Sequence, residues 1–151
     1  MSTDQKFNIR VYGLLIVNGQ LLVSDEYLWG KSVTKLPGGG LEWGEGILEG
    51  LKREFKEELG IEIFNQKLFY LTDFFQVSVV NKNDQIISVY YTVSTEHPNK
   101  IQVKTKAHDH IKMEHGSQVF RWVDVTLTKP DEYHFPIDKI VIGELNKLYE
   151  R

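Results

Sequence analysis

The chain contains no cysteine, which excludes disulfides, thiolate zinc sites and cysteine nucleophiles and agrees with a reducing compartment. Only 4 of its 151 residues are proline, and no Pro/Gly/Ser-rich linker divides it. With 41% hydrophobic residues the expectation is a single globular domain over 1–151 with a sizeable core. No apolar run approaches membrane-spanning length, and the polar start Met1-Ser2-Thr3-Asp4-Gln5-Lys6 lacks the apolar centre of a signal peptide. A soluble, cytoplasmic protein without a membrane partner is expected. Charge of neither sign dominates: a net charge of -3 provides no overall basic field, so long nucleic acid is not an expected partner.

What is present is concentrated between Gly39 and Ile61. At 3.6 residues per turn, Glu54, Glu57 and Glu58 share one side of a helix predicted over 46–59. Ile47, Leu48, Leu51, Phe55 and Leu59 recur at the same spacing beside them and predict a core-facing stripe. Carboxylates so placed repel unless a cation sits among them, and oxygen-only surroundings suit Mg²⁺ or Mn²⁺ completed by substrate phosphate. Gly50, one turn before Glu54, is expected to leave room for ions. Arg53 is expected to orient Glu57 through a bidentate contact. The run Leu36-Pro37-Gly38-Gly39-Gly40 is neither helix nor central strand by composition. It reads as a loop offering backbone groups to the same metal and phosphate.

Gly39, then five residues, Glu45, then seven residues, Arg53-Glu54-Phe55-Lys56-Glu57-Glu58-Leu59-Gly60-Ile61 resembles the Nudix box of the MutT-like Nudix hydrolases at every fixed position. A chance match is on the order of 10⁻⁹ per starting point at ordinary residue usage. The one unusual residue is Phe55, where the family more often has a branched aliphatic side chain. The resemblance implies a Nudix-type α/β/α sandwich: a mixed sheet, a catalytic helix after a Gly-rich loop, and a C-terminal helix. It further implies Mg²⁺-dependent hydrolysis of a phosphoanhydride in a nucleoside diphosphate linked to another group, by water attack on phosphorus. Carried over by position, Glu54, Glu57 and Glu58 are metal ligands, and Glu57 or Glu58 serves the nucleophilic water. Arg53 braces the carboxylates, Glu45 fixes the loop–helix structure, and Gly38 or Gly39 supplies a backbone oxygen. The rival is a Nudix-fold sensor that binds a nucleotide without turning it over; the intact acids favour catalysis. Isomerisation on this fold would require a cysteine that is absent.

Flanking patterns extend the fold. Apolar runs at 8–17 and 20–25 around Asn18-Gly19 predict a hairpin, and 33–36 a strand feeding the glycine run. Runs at 68–80 and 86–94 predict a second hairpin around the polar turn 81–85, 119–125 another strand, and the periodicity after Pro136 a closing helix.

Outside the box, Glu114 in Met113-Glu114-His115-Gly116 is a candidate extra ligand or base, the alternative being an exposed loop glutamate. His108, Asp109, His110 and His115 have metal-binding chemistry but no diagnostic spacing, and read as solvated loop residues. Lys100, Lys104, Lys106 and Lys112 are candidates to receive phosphates, with a plain solvated edge favoured. Of the candidate base-stacking aromatics Trp29, Trp43, Phe74 and Tyr91, packing is the general expectation, and Trp43 is carried forward with Gly38, Gly39 and Gly40 as substrate-binding. Trp122 reads as core. Gly30-Lys31-Ser32 is not a P-loop, because Asp25 stands where its first glycine is required. The substrate is a small nucleotide or nucleotide sugar of unspecified base. The proline of many ADP-ribose enzymes and the tyrosine of many dinucleoside-polyphosphate enzymes are missing around 76–79. A homodimer is left open.

Overall fold

The structure, a computed structural model, describes residues 4–110 and 112–150; Met1 to Thr3 of the polar start lie outside the described residues. Strand β1 (Lys6–Val17) turns at Asn18-Gly19 into β2 (Gln20–Leu28), as expected, and β3 (Lys31–Lys35) pairs antiparallel with β2. The glycine run forms a three-residue strand, β4 (Gly38–Gly40), antiparallel to β1 at Arg10 to Tyr12. This corrects the loop expectation. A side chain at residue 38 would collide with the Val11 carbonyl, so glycine here permits a pairing that bulkier residues would block. Helix α1 (Ile47–Leu59) follows, then β5 (Phe64–Leu71), β6 (Asp84–Ser94), β7 (Ser117–Asp124) and helix α2 (Pro136–Leu148).

The sheet order is β3-β2-β1-β6-β5, with β4 joined to β1 and β7 to β2. β1 and β6 run parallel and the other pairings are antiparallel, giving a mixed sheet. Alternation along the strands divides the core into two layers. Val11, Leu15 and Leu22 pack with Leu51 and Phe55 of α1, while Tyr12, Leu14, Leu21 and Val23 pack with Ile137, Val141 and Leu145 of α2. The result is the expected α/β/α sandwich. The Phe55 ring lies over Gly13, where a methyl group would come within 2.5 Å of it. The bulkier residue thus has its space built into β1.

Three expectations need correction. The apolar stripe of α1 is narrower than predicted: Leu51 and Phe55 are buried, Ile47 and Leu59 half-buried, and Leu48 is exposed. The second hairpin has different limits. β5 begins at Phe64, ahead of the polar Asn65-Gln66-Lys67, and ends at Leu71. Thr72 then folds back onto Ser88 through backbone and hydroxyl bonds, and Phe75, Val79 and Val80 stay exposed. The apolar run at 72–80 is therefore a connection carrying one isolated bridge, Val77 to Gln85. Trp122 is half-buried against the α1-side cluster rather than fully enclosed. No helix among the described residues is long and apolar enough to cross a membrane.

Candidate active site

Helix α1 is held at both ends. Glu49 Oε1 accepts from the Gly46 amide at 3.2 Å, and Gly60 closes the other end in the left-handed conformation, its amide bonding the Lys56 carbonyl at 3.0 Å. This fixes the direction in which its acids project. Arg53 uses every guanidinium donor. Nε and Nη2 clamp Glu45 at 2.9 and 2.7 Å, Nη2 also reaches the Gly40 carbonyl at 3.0 Å, and Nη1 serves Glu54 at 3.1 Å and Glu57 at 3.2 Å. The bidentate partner is thus Glu45, not Glu57 as predicted. Glu45 also accepts from the Glu42 amide at 2.9 Å. Its hydrogen bonds from Arg53 and then from Glu42 hold its carboxyl down at about 2.

Glu54 lies against β4: a methyl group at residue 39 would fall 2.7 Å from its carboxylate. Gly39 is therefore the glycine that makes room for an acid of the cluster. Gly50 does something else, since a methyl there would strike Leu41 and Glu45. The expectation that Gly50 leaves room for ions is corrected.

Gly38, Gly39, Gly40, Glu54 and Glu58 line a cavity of about 490 Å³. Glu58 Oε2 is buried without a hydrogen-bond partner. Burial, with the neighbouring Glu54 and Glu26 and against the opposing pull of Lys35, raises the Glu58 carboxyl to about 7. Glu57 projects beside them toward Arg53 but is exposed and does not line the cavity. The other cavity charges come from far along the chain. Lys35 is buried 3.3 Å from Glu26 Oε2. Burial acts to lower its pKa, but Glu26, Tyr12, Glu58 and Asp138 outweigh this and raise it. Asp138 accepts from Tyr90 at 2.6 Å and from the Leu36 amide at 3.3 Å, and burial raises its carboxyl. Arg10, bonded to Tyr12 at 2.6 Å, stands on the same surface.

Lys35, Glu26, Asp138 and Arg10 were missed in the sequence. The available signal was strand parity: Asn8, Arg10 and Tyr12 share one face of β1, and Arg10 interrupts an apolar-rich run.

Several expected residues lie elsewhere. Glu114 is exposed in the turn before β7 and does not line the cavity; Glu26 of β2 does. Trp43 is fully exposed and away from the cavity, whereas Trp29 lines it. Phase along β6 turns Tyr91 toward the α1-side core. Neither Phe74 nor Lys100, Lys104, Lys106 or Lys112 borders the cavity. The histidines are not simply solvated. The His108 amide bonds Asp25 at 2.9 Å, His110 contacts Ser117 at 3.4 Å, and His115 Nδ1 accepts from the Trp29 amide at 3.1 Å.

Among the described residues no three His, Asp or Glu side chains already enclose an ion. The donor chemistry nevertheless fits a hard cation: a buried Glu58 oxygen lacks any partner, and the space over Gly39 holds the Glu54 carboxylate at the same cavity wall.

Comparison with solved structures finds the same fold repeatedly. A NUDIX hydrolase from Nitrosomonas europaea superposes with a TM-score of 0.68 at 18% identity, covering 94% of this chain and 90% of its own. The E. coli ORF135 protein gives 0.66 at 18% identity, covering 96% of this chain and 92% of its own. A MutT NUDIX hydrolase from Burkholderia pseudomallei gives 0.64 at 15% identity, covering 93% and 98%. Among curated protein sequences none matches. Residues 7–142 match the NUDIX domain, and on that match over most of its length the chain belongs to the NUDIX family.

Proposed function

We propose that this chain, acting as a single domain, is a Mg²⁺-dependent pyrophosphohydrolase, with Mn²⁺ able to substitute. Its substrate is a nucleoside diphosphate linked to a second group, a small nucleotide or nucleotide sugar. The observation that carries this reading is the unpartnered, buried Glu58 oxygen at the wall of a cavity that also holds Glu54. A buried acceptor left without a donor is costly for a folded chain and is retained where a ligand completes it.

In this reading Glu54, Glu57 and Glu58, with a Gly38 backbone oxygen, hold the ion. Arg53 keeps Glu54 and Glu57 oriented while itself anchored on Glu45. Bound there, a divalent ion lowers the pKa of water and neutralises charge on the phosphoryl group. Glu57 or Glu58 accepts the water proton. Lys35 and Arg10 bring positive charge to the cavity, where substrate phosphates would otherwise meet only carboxylates.

The test is incubation of the purified chain with a nucleotide panel and Mg²⁺, with products identified by mass. Release of a nucleoside monophosphate or of phosphate, lost in Glu57→Gln and Glu58→Gln, is the expected result. Tight binding with no product would replace this proposal with a nucleotide sensor.

A further inference from the structure

The cavity floor is a two-stranded ladder, and its two ends differ in chemistry. β1 and β6 run parallel in the register Lys6 to Asp84, Asn8 to Ile86, Arg10 to Ser88 and Tyr12 to Tyr90. Alternation places Asn8, Arg10 and Tyr12 on the same face as Asp84, Ile86, Ser88 and Tyr90, and all seven line the cavity. Near one end Gly39 lies opposite Val11, beside Glu54. The other end, at Asp84, is about five residues and roughly 16 Å of strand away.

Asp84 is only 7% exposed, and its Oδ1 is buried with no hydrogen-bond partner. Its backbone is fully engaged, the amide with Asn81 O at 3.0 Å and the carbonyl with the Ser78 amide at 2.9 Å. Only the side chain is left open. No lysine, arginine or histidine among the described residues lies within ion-pair distance of it. Of the positive side chains that line the cavity, Arg10 and Lys35 stand near the helix acids. Along the ladder the charge is negative at the α1 end and positive in the middle; at the far end Asp84 is paired in register with Lys6, which stays beyond ion-pair distance and lines the neighbouring cleft rather than this cavity.

We propose that Asp84 is a specificity residue: it receives an uncharged group bearing N–H or O–H donors, carried at the end of the substrate remote from the reacting phosphates. This rests on the hydrolase reading for the position of the phosphates. A buried acceptor with no donor of its own favours a ligand that brings one, and a carboxylate there repels a second anionic group. Asn8, one step along the floor, adds an amide able both to donate and to accept. Two sources carry this chemistry, the exocyclic amino group of a nucleobase and the hydroxyls of a linked sugar.

The test compares CTP with UTP and ATP with ITP for the amino group, and UDP-glucose with UDP-glucuronate for the sugar. Each is measured as kcat and KM in wild type and in the near-isosteric Asp84→Asn. In at least one arm wild type is expected to prefer the member with the exocyclic amino group, or the uncharged sugar, by about tenfold or more in kcat/KM. Asp84→Asn is expected to remove most of that preference, with the change in KM rather than kcat. Equal use of both members of every pair, or a preference that survives in Asp84→Asn, overturns the proposal. Should no substrate turn over, dissociation constants for the same pairs by calorimetry decide it. A binding preference lost in Asp84→Asn keeps the subsite while the hydrolase reading falls, and no binding of any member overturns the subsite as well. If Asp84→Asn does not fold, Asn8→Ala is expected to weaken the same preference, and an unaltered preference in that variant overturns it.

Discussion

Two arginine–carboxylate clusters sit on this sheet, and they end differently. Asp25 is fully buried and has every acceptor position filled: Arg121 Nε at 2.6 Å and Nη2 at 3.3 Å, Thr34 at 2.8 Å and the His108 amide at 2.9 Å. Arg53 is equally saturated, but the acids of its helix are not, because Glu58, which Arg53 does not reach, leaves a buried oxygen without a donor. The first cluster joins β2, β3, β7 and the segment before β7; its carboxylate has nothing left to offer a ligand, and although His108 Nδ1 beside it is buried without a hydrogen bond, none of its members lines the cavity. The second joins β4 to α1 and faces a cavity. A closed network specifies structure, whereas an open one at a cavity marks where a ligand is awaited.

The largest expected effect comes from the open cluster. Glu58→Gln keeps the shape but removes a charge and a base, so turnover should fall by roughly 10²–10⁴-fold while melting temperature stays near wild type or rises. A fall in stability with retained turnover would reverse the contrast and make Glu58 structural.

Arg121→Met is the matching experiment on the closed cluster. It leaves Asp25 buried and unpaired, which should cost about 3–5 kcal/mol in urea unfolding, with kcat per folded molecule little changed. Its pH dependence follows from the same contacts. Burial alone would raise the Asp25 carboxyl, but the Arg121, His108-amide and Thr34 bonds outweigh it and hold the group below the ordinary value of 3.8. The unfolded chain therefore takes up the proton first. The stability due to Asp25 is complete above about 3.8 and drains away as pH falls through its lower folded value. Asp25→Asn should show a flatter acid limb than wild type; an unchanged slope would mean that the closed cluster holds no special charge.

The two clusters were not equally legible beforehand. Glu45, Arg53, Glu54 and Glu58 lie within four helical turns and one loop, so periodicity alone brings them together. Asp25 and Arg121 are far apart in sequence and meet only because β2 pairs with β7. The same holds for the Asp84 end of the floor, which exists only through the parallel pairing of β1 and β6. Such pairing depends on tertiary register, which local patterns do not encode. Apolar content also misled at 72–80, where exposed Phe75, Val79 and Val80 resemble strand residues but lie in a connection. The glycine run misled in the other direction, since low strand propensity was overridden by its close approach to β1.

Gly50→Ala separates packing from chemistry within the open cluster. The added methyl would press on Leu41 and on Glu45, which Arg53 already pins. Overpacking of about 1–3 kcal/mol is partly offset by the better helix propensity of alanine, so a net loss of about 1 kcal/mol is expected. Gly39→Ala should instead displace Glu54 and lower turnover more than stability. If the two variants behaved alike, the division of labour between these glycines would be wrong.

Glu114→Gln is the smallest expected effect and the one that tests the boundary of the site. The side chain is exposed, the residue's carbonyl accepts from the Ser117 amide at 2.9 Å, and neither depends on a carboxylate. Turnover and its Mg²⁺ dependence should therefore match wild type within about twofold, as for surface changes generally. Glu26→Gln, at the cavity and tied to Lys35, should lower turnover more. The opposite ranking would mean that the segment before β7 swings its acid inward when substrate binds, and that the cavity seen here is the open form of the site.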